Sequence, residues 1–319
     1  MPATIFFKNV LNPHHGGGLP IFPHKRGVAL QAGDAFIASP ISEGGMEWVE
    51  YHPGESFADL RKWVVTLFGD LDPVESDYQP GTAYKRVYRP LACSGNLNNA
   101  IDSEKRTQSF VALRILLNKL QSMFQAIEPT TQNLNAYGHL IREILLLACM
   151  EVETSLAAVL KENSYPASSP NRLSTNDYVK LRDVMLLDSY ELLLYSYPGF
   201  PRFMPFDGWD SSAATRSLPW YDAYNKTKHD REGNLHLATL EHAIHAVGAA
   251  TVVFYAQYGL AIGPNGYDSA SAEIRSVFSV SVAPEKHWMS CYIPEFAIAP
   301  TGMLEVAPSH TWRLVDYPF

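Results

Sequence analysis

Apolar residues recur every three to four positions in four stretches of this chain, and those stretches predict its long helices. Between residues 103 and 127, Val111, Ile115, Leu116, Leu120, Met123 and Phe124 keep the helical spacing. Ser103 is placed to cap the start, and Pro129 lies just past the end. The stretch 134–162 contains ILLLACMEVETSLAAVL, apolar nearly all round, as a centrally buried helix requires. A third helical pattern runs over 177–195 and gives way to the Pro-Gly-aromatic loop YPGFPRFMPFDGW. The fourth covers 234–258, where Leu237, Leu240, Ile244, Val247, Val252 and Phe254 carry the repeat and Gly248 leaves room for another helix to approach.

Outside these stretches the pattern is shorter. Thr4–Phe7 and Val28–Gln31 are brief apolar runs set off by Gly and Pro, a helix near 56–68 starts at a capping Ser56, and 84–92 reads as a strand. Beyond Gly266, VFSVSVAP at 277–284 alternates with period two, and WMSCYI and WRLV read as further strands. The expected fold class is α+β. A central bundle of about four long helices occupies 101–262. β-rich segments flank it at 1–100 and 263–319, and the two either join or lie separately.

Composition narrows the function. Of 319 residues, 46% are hydrophobic and 18% charged, which fits one large globular domain or two moderate ones. A formal net charge of −8 argues against a broad basic surface for duplex DNA and leaves only a local patch at Lys226, Lys228 and Arg231. Cys93, Cys149 and Cys291 form no CxxC pair, and Cys149 reads as a small buried hydrophobe. The sparse, odd set points to a reducing compartment. With no signal-peptide pattern at the N-terminus and no apolar run of the ~18–20 residues a span needs, the expected location is cytoplasmic, with no membrane partner.

Polar chemistry and a well-formed helix meet only between Pro219 and Gly259. A histidine such as His229 suits general acid–base work on a ribose 2′-hydroxyl. Lys226, Lys228 and Arg231 suit a phosphate, Asn225 suits a positioning hydrogen bond, and a helix start near Asn234 would add N–H donors. Trp220 and Tyr221 would offer aromatic faces to a base, and Tyr224 is a further ligand-binding candidate. The competing reading makes KHDREG a solvated turn ahead of the fourth helix.

A long helix with a Glu-rich turn, then Trp220, Tyr224 and Asn225, then Lys228, His229, Asp230 and Arg231 ahead of an Ala-rich helix, resembles the HEPN-like helical bundle proteins of bacteria. The resemblance covers residues 101–260 at most. It implies an all-α module of the kind found in bacterial defence and toxin–antitoxin systems. Nucleolytic members carry an Arg, four to six residues, then a His at a helix start. Here Asp222, Ala223 and Tyr224 stand where that Arg would be. The implied function is a cytosolic protein with a degenerate nucleolytic motif that binds RNA, a nucleotide or a partner protein. The alternatives are a metal-independent ribonuclease using His229 and a non-catalytic scaffold that forms a homodimer.

The remaining motifs are weaker. Glu241 and His245 share a helix face, as His229 and His236 would if the fourth helix began early. No HExxH is present, however, and Glu143, Glu151 and Glu153 lack the repeated Glu-x-x-His of di-metal bundles. Neither a metal nor another cofactor is expected. HHGGG at 14–18 resembles an esterase oxyanion loop but has no GxSxG elbow to serve. Arg142 beside Glu143 marks a helix end at the surface. The aromatics of 195–209 read as a lid over a core or as a stacking platform.

Overall fold

A computed structural model describes residues 4–11, 25–32, 35–41, 49–51, 59–89, 101–167, 169, 172–259, 269–283, 288–298, 304–306 and 312–319. The HHGGG motif, Ser56 and Cys93 lie outside them. In chain order the elements are β1 (Thr4–Lys8), β2 (Arg26–Ala32), β3 (Ala35–Pro40), β4 (Val49–Tyr51), α1 (Leu60–Phe68), β5 (Val74–Ser76) and β6 (Thr82–Tyr84). There follow α2 (Ser103–Phe124), α3 (His139–Glu162), α4 (Thr175–Tyr178), α5 (Leu181–Val184), β7 (Tyr190–Leu194), α6 (Pro219–His229), α7 (Arg231–Asn234) and α8 (Leu240–Tyr258). The last are α9 (Ser269–Val277), β8 (Phe278–Val282), β9 (Phe296–Ile298), β10 (Leu304–Val306) and β11 (Arg313–Val315). Helix and strand are mixed, as an α+β class requires.

The chain divides into two units. The first takes Met1–Ala83, Arg89–Ala100 and His287–Leu314. Its antiparallel sheet has the order β4-β3-β2-β1-β5. Side chains alternate across a strand, so each face acquires its own core. Ile5, Phe7, Ala29, Phe36 and Ala38 pack with Leu60, Trp63, Val64 and Phe68 of α1. Phe6, Val28, Leu30 and Ile37 pack with Cys291 and Ile293. The WMSCYI run is therefore not a strand but an apolar plug against the sheet. Asp59 caps α1 by accepting from the Lys62 N–H, and the helix ends at Gly69 in the left-handed region, φ 71°.

The second unit takes Tyr84–Tyr88, Ile101–Lys286 and Val315–Phe319. Asp102, one residue before the expected Ser103, caps α2 by accepting from the Glu104 and Lys105 N–H groups. Helices α2, α3 and α8 pack on one another around Leu113, Leu117, Leu145, Val152, Ile244 and Val247. Helix α8 starts at Leu240, six residues later than the pattern predicts, because Thr239 caps it and residues 235–237 form a 3-10 turn. A Cβ on its Gly248 would fall 2.8 Å from side-chain carbons of Leu192 and Phe203, so strand β7 and the following loop approach there, rather than a helix.

Two further expectations change. The helical pattern over 177–195 becomes two single-turn helices followed by β7, whose Tyr190, Leu192 and Leu194 are buried. A short apolar run fits helix or strand equally, and the antiparallel partner β8 decides it, pairing Tyr190 with Val282 and Leu194 with Phe278. The strand expected over 84–92 ends at Tyr84, and Lys85 and Arg86 form a turn. Arg86 holds φ 54° and donates to Gln257 Oε1 (2.9 Å), the Tyr258 hydroxyl (2.8 Å) and Glu162 (3.2 Å). Among the described residues, no helix is long and apolar enough to cross a membrane.

Candidate functional site

Arg142, Cys149 and Glu153 are spaced by seven and four residues, which puts them on one face of α3. Tyr221, Tyr224 and Lys228, spaced by three and four, share one face of α6. The two faces meet. Tyr221 donates its hydroxyl to Glu153 Oε1 at 2.5 Å, and Tyr224 reaches Oε2 at 3.4 Å. Lys228 Nζ donates to the Tyr224 hydroxyl at 2.8 Å. Farther along, Arg142 Nε and Nη2 donate to the Thr227 carbonyl at 3.3 and 2.9 Å, satisfying an acceptor that the last turn of α6 leaves open.

Burial and then Glu153 push the Tyr221 and Tyr224 hydroxyls well above the usual phenol range, and the same causes lift Tyr178 to about 12. These phenols stay protonated and act as donors. Cys149 is fully buried; burial first and Glu153 second raise its thiol well above the ordinary range, with Lys228 opposing. It is an inert packing group rather than a nucleophile.

The residues singled out from the sequence separate into two sets. Trp220 is a core anchor, 1% exposed, with Nε1 donating to the Pro205 carbonyl at 2.8 Å. Tyr224 is buried in the α3–α6 seam, so neither ring presents a face to solvent. Asn225 bonds the Tyr221 carbonyl of its own helix, and Lys226 pairs with Asp222 at 2.6 Å. Lys228, His229 and Arg231 are exposed at the end of α6 and the turn after it.

The N–H donors expected near Asn234 are not available. His229 ends a helix rather than beginning one. Helix α7 is one turn long, and Asp230 takes its Gly233 N–H at 3.0 Å. His236 lies in the 3-10 turn, so it shares no helix face with His229. Phe200, Phe203, Phe206 and Trp209 are buried in the main core, so these aromatics of the 195–209 loop are core rather than platform, while Tyr195 at its start is 69% exposed. His245 stacks on Phe203 at 4.5 Å, and burial, then His242, lowers its pKa to about 4. Among the described residues, no group of three or more His, Cys, Asp or Glu is placed to hold a metal ion.

Sequence reasoning weighed Arg142 only as a helix-end marker, Glu153 only as a metal ligand and Tyr221 only as a stacking ring, and did not bring the three together. Their signal was present as two matching helical stripes, on α3 and on the segment that becomes α6. Proline favours the first turn of a helix, and that is the place of Pro219 in α6.

Comparison with models of known protein families, with curated proteins and with solved structures finds no match to this chain.

Proposed function

We propose that α2, α3, α6 and α8 form a HEPN-like four-helix bundle in a cytoplasmic protein, and that the end of α6 binds a phosphate of RNA or a nucleotide without cleaving it. One observation carries the reading. Arg142 arrives from α3 at the carbonyl two residues before His229, so a guanidinium reaches the last turn of α6, which has no Arg of its own, and the exposed Lys228, His229 and Arg231 stand at that end of the helix. Arg142 spends two of its five N–H groups on Thr227, which leaves donors for an anion. The test is fluorescence-detected binding of a short single-stranded RNA and of a nucleoside monophosphate to wild type, Arg142→Ala and His229→Ala. The expected outcome is at least ten-fold weaker binding in both variants. Equal binding by all three proteins overturns the reading.

The same arginine supports metal-independent ribonuclease activity as the second reading. His229 would take the proton of a 2′-hydroxyl, the oxygen would attack phosphorus, the P–O5′ bond would break and the departing oxygen would gain a proton. Cleavage that survives chelation and disappears in His229→Ala selects this reading over binding alone. If RNA is neither bound nor cleaved, the dimerising scaffold stands in front, with the exposed Val111, Ile115, Leu147 and Met150 of α2 and α3 as its contact face.

A further inference from the structure

A groove of about 660 Å³ opens in the second unit, away from the α6 terminus, walled by Tyr88, Tyr195 and Tyr255 with Arg275, Ser276 and Ser279 among its lining. Its volume falls in the range of small-molecule sites, and it opens to solvent on the side of Tyr195, Arg275, Ser276 and Ser279. The rings of Tyr88 and Tyr255 meet at 5.8 Å and 72°, making a corner with one face and one edge. A planar ring seated there stacks on one tyrosine and meets the other edge-on, the two arrangements that aromatic quadrupoles favour.

The walls are held by backbone. The Tyr88 N–H donates to the Ala256 carbonyl at 2.8 Å, and the Tyr195 N–H donates to the Val277 carbonyl at 2.9 Å. The pairing of β7 with β8 fixes the strand that carries Ser279. Gly259, at φ 68°, lets the Tyr88 ring lie where any Cβ would come within 2.9 Å of it. Arg275 and Ser276 come from the last turn of α9. Burial raises the Tyr88 hydroxyl above the usual phenol range, so it remains a hydrogen-bond donor.

We propose that this groove binds a small planar aromatic compound bearing an anionic group, its ring against Tyr88, Tyr195 and Tyr255 and its charge at Arg275. The shared chemistry fits an aromatic phosphate such as a mononucleotide or an aromatic carboxylate. The site does not depend on the α6 reading.

The experiment titrates AMP, adenosine, indole-3-acetate and inorganic phosphate into the full chain by calorimetry. AMP or indole-3-acetate is expected to bind saturably, and which of them does so identifies phosphate or carboxylate as the anion. Adenosine should bind at least ten-fold more weakly than AMP if phosphate is preferred, and inorganic phosphate alone should not register. Tyr195 is 69% exposed, so Tyr195→Ala should leave the melting temperature unchanged, and Arg275→Ala is melted beside it so that its binding is read only on folded protein. Tyr195→Ala should weaken binding about ten-fold, the usual loss when one stacking ring is removed. Arg275→Ala should remove the preference for the anion. His229→Ala should leave binding intact, which separates this site from the α6 terminus. Absence of saturable binding by both aromatic anions overturns the proposal. So does binding that ignores Tyr195→Ala and Arg275→Ala, or binding lost only in His229→Ala.

Discussion

Helices α8 and α6 both lie on α3, and they are held there by different forces. Helix α8 is buried on nearly every side, with Ile244, Val247 and Val252 at zero exposure, and its packing is apolar except at its last turn, where Gln257 and Tyr258 accept from Arg86. Helix α6 buries Trp220 and Ala223 in the same core but adds a polar seam, with hydrogen bonds from Tyr221 and Tyr224 to Glu153 and from Arg142 to Thr227, and its end stays in solvent. Apolar packing is non-directional and tolerates repacking, whereas a buried polar seam fixes orientation because every donor needs its partner. Stability therefore concentrates in α8, and the position of Lys228 and His229 is set by the seam behind them.

The largest effect should come from a charge in the apolar helix. Val247→Asp places an unpartnered carboxylate at a site with zero exposure, and the expected loss is about 4 kcal/mol or more, read from urea unfolding. Wild-type stability in that variant would remove α8 from the core.

His245 gives a pH test of the same helix. Its folded pKa of about 4 lies below the usual 6.5, so the imidazole is neutral in the fold and protonation favours the unfolded chain. The stability it contributes is complete above pH 6.5 and is lost as pH falls towards 4, by about 3 kcal/mol if it acts alone. His245→Gln should flatten stability against pH across that window. An unchanged slope would assign the acid sensitivity to other groups.

The seam comes next. Glu153→Ala deprives two buried phenols of their acceptor, at a cost of about 2 kcal/mol. Glu153→Gln keeps a carbonyl acceptor and should recover part of that loss. Identical unfolding curves for both variants would mean that the seam is not what holds α6.

The smallest change in stability belongs to the exposed end. His229→Ala should stay within about 0.5 kcal/mol of wild type by thermal melting. A larger loss would make His229 a structural residue and remove it as a ligand group.

This contrast also explains what was legible in the sequence. Apolar periodicity identified α2, α3 and α8, because burial on a helix face forces that repeat. Brief apolar runs set off by Gly and Pro placed β1 and β2, and alternation with period two placed β8. Ends were missed where capping chemistry had two candidates, as at Asp102 beside Ser103, or where a 3-10 turn intervened before Leu240. The run YELLL carries no period of its own and became a strand only through pairing with β8. At the candidate site, His229 and Lys228 stood out as residue types. Glu153 and Arg142 did not, because their roles depend on α3 meeting α6, about seventy to eighty-five residues apart in the chain. The Tyr88–Tyr195–Tyr255 groove is built from equally distant segments and leaves no local motif.

Arg86 sits in the left-handed region, a conformation that typically costs a non-glycine residue about 1 kcal/mol or more, and the three hydrogen bonds it donates to acceptors at the ends of α3 and α8 hold it there. The short segment Tyr84–Tyr88 is thereby bound to the helical unit on the timescale of that unit's own opening. In hydrogen exchange the Tyr88 amide, which bonds the Ala256 carbonyl, should be protected with the end of α8 and not with surface turns. A turn of five residues would thus open and close as part of a helix more than 160 positions away.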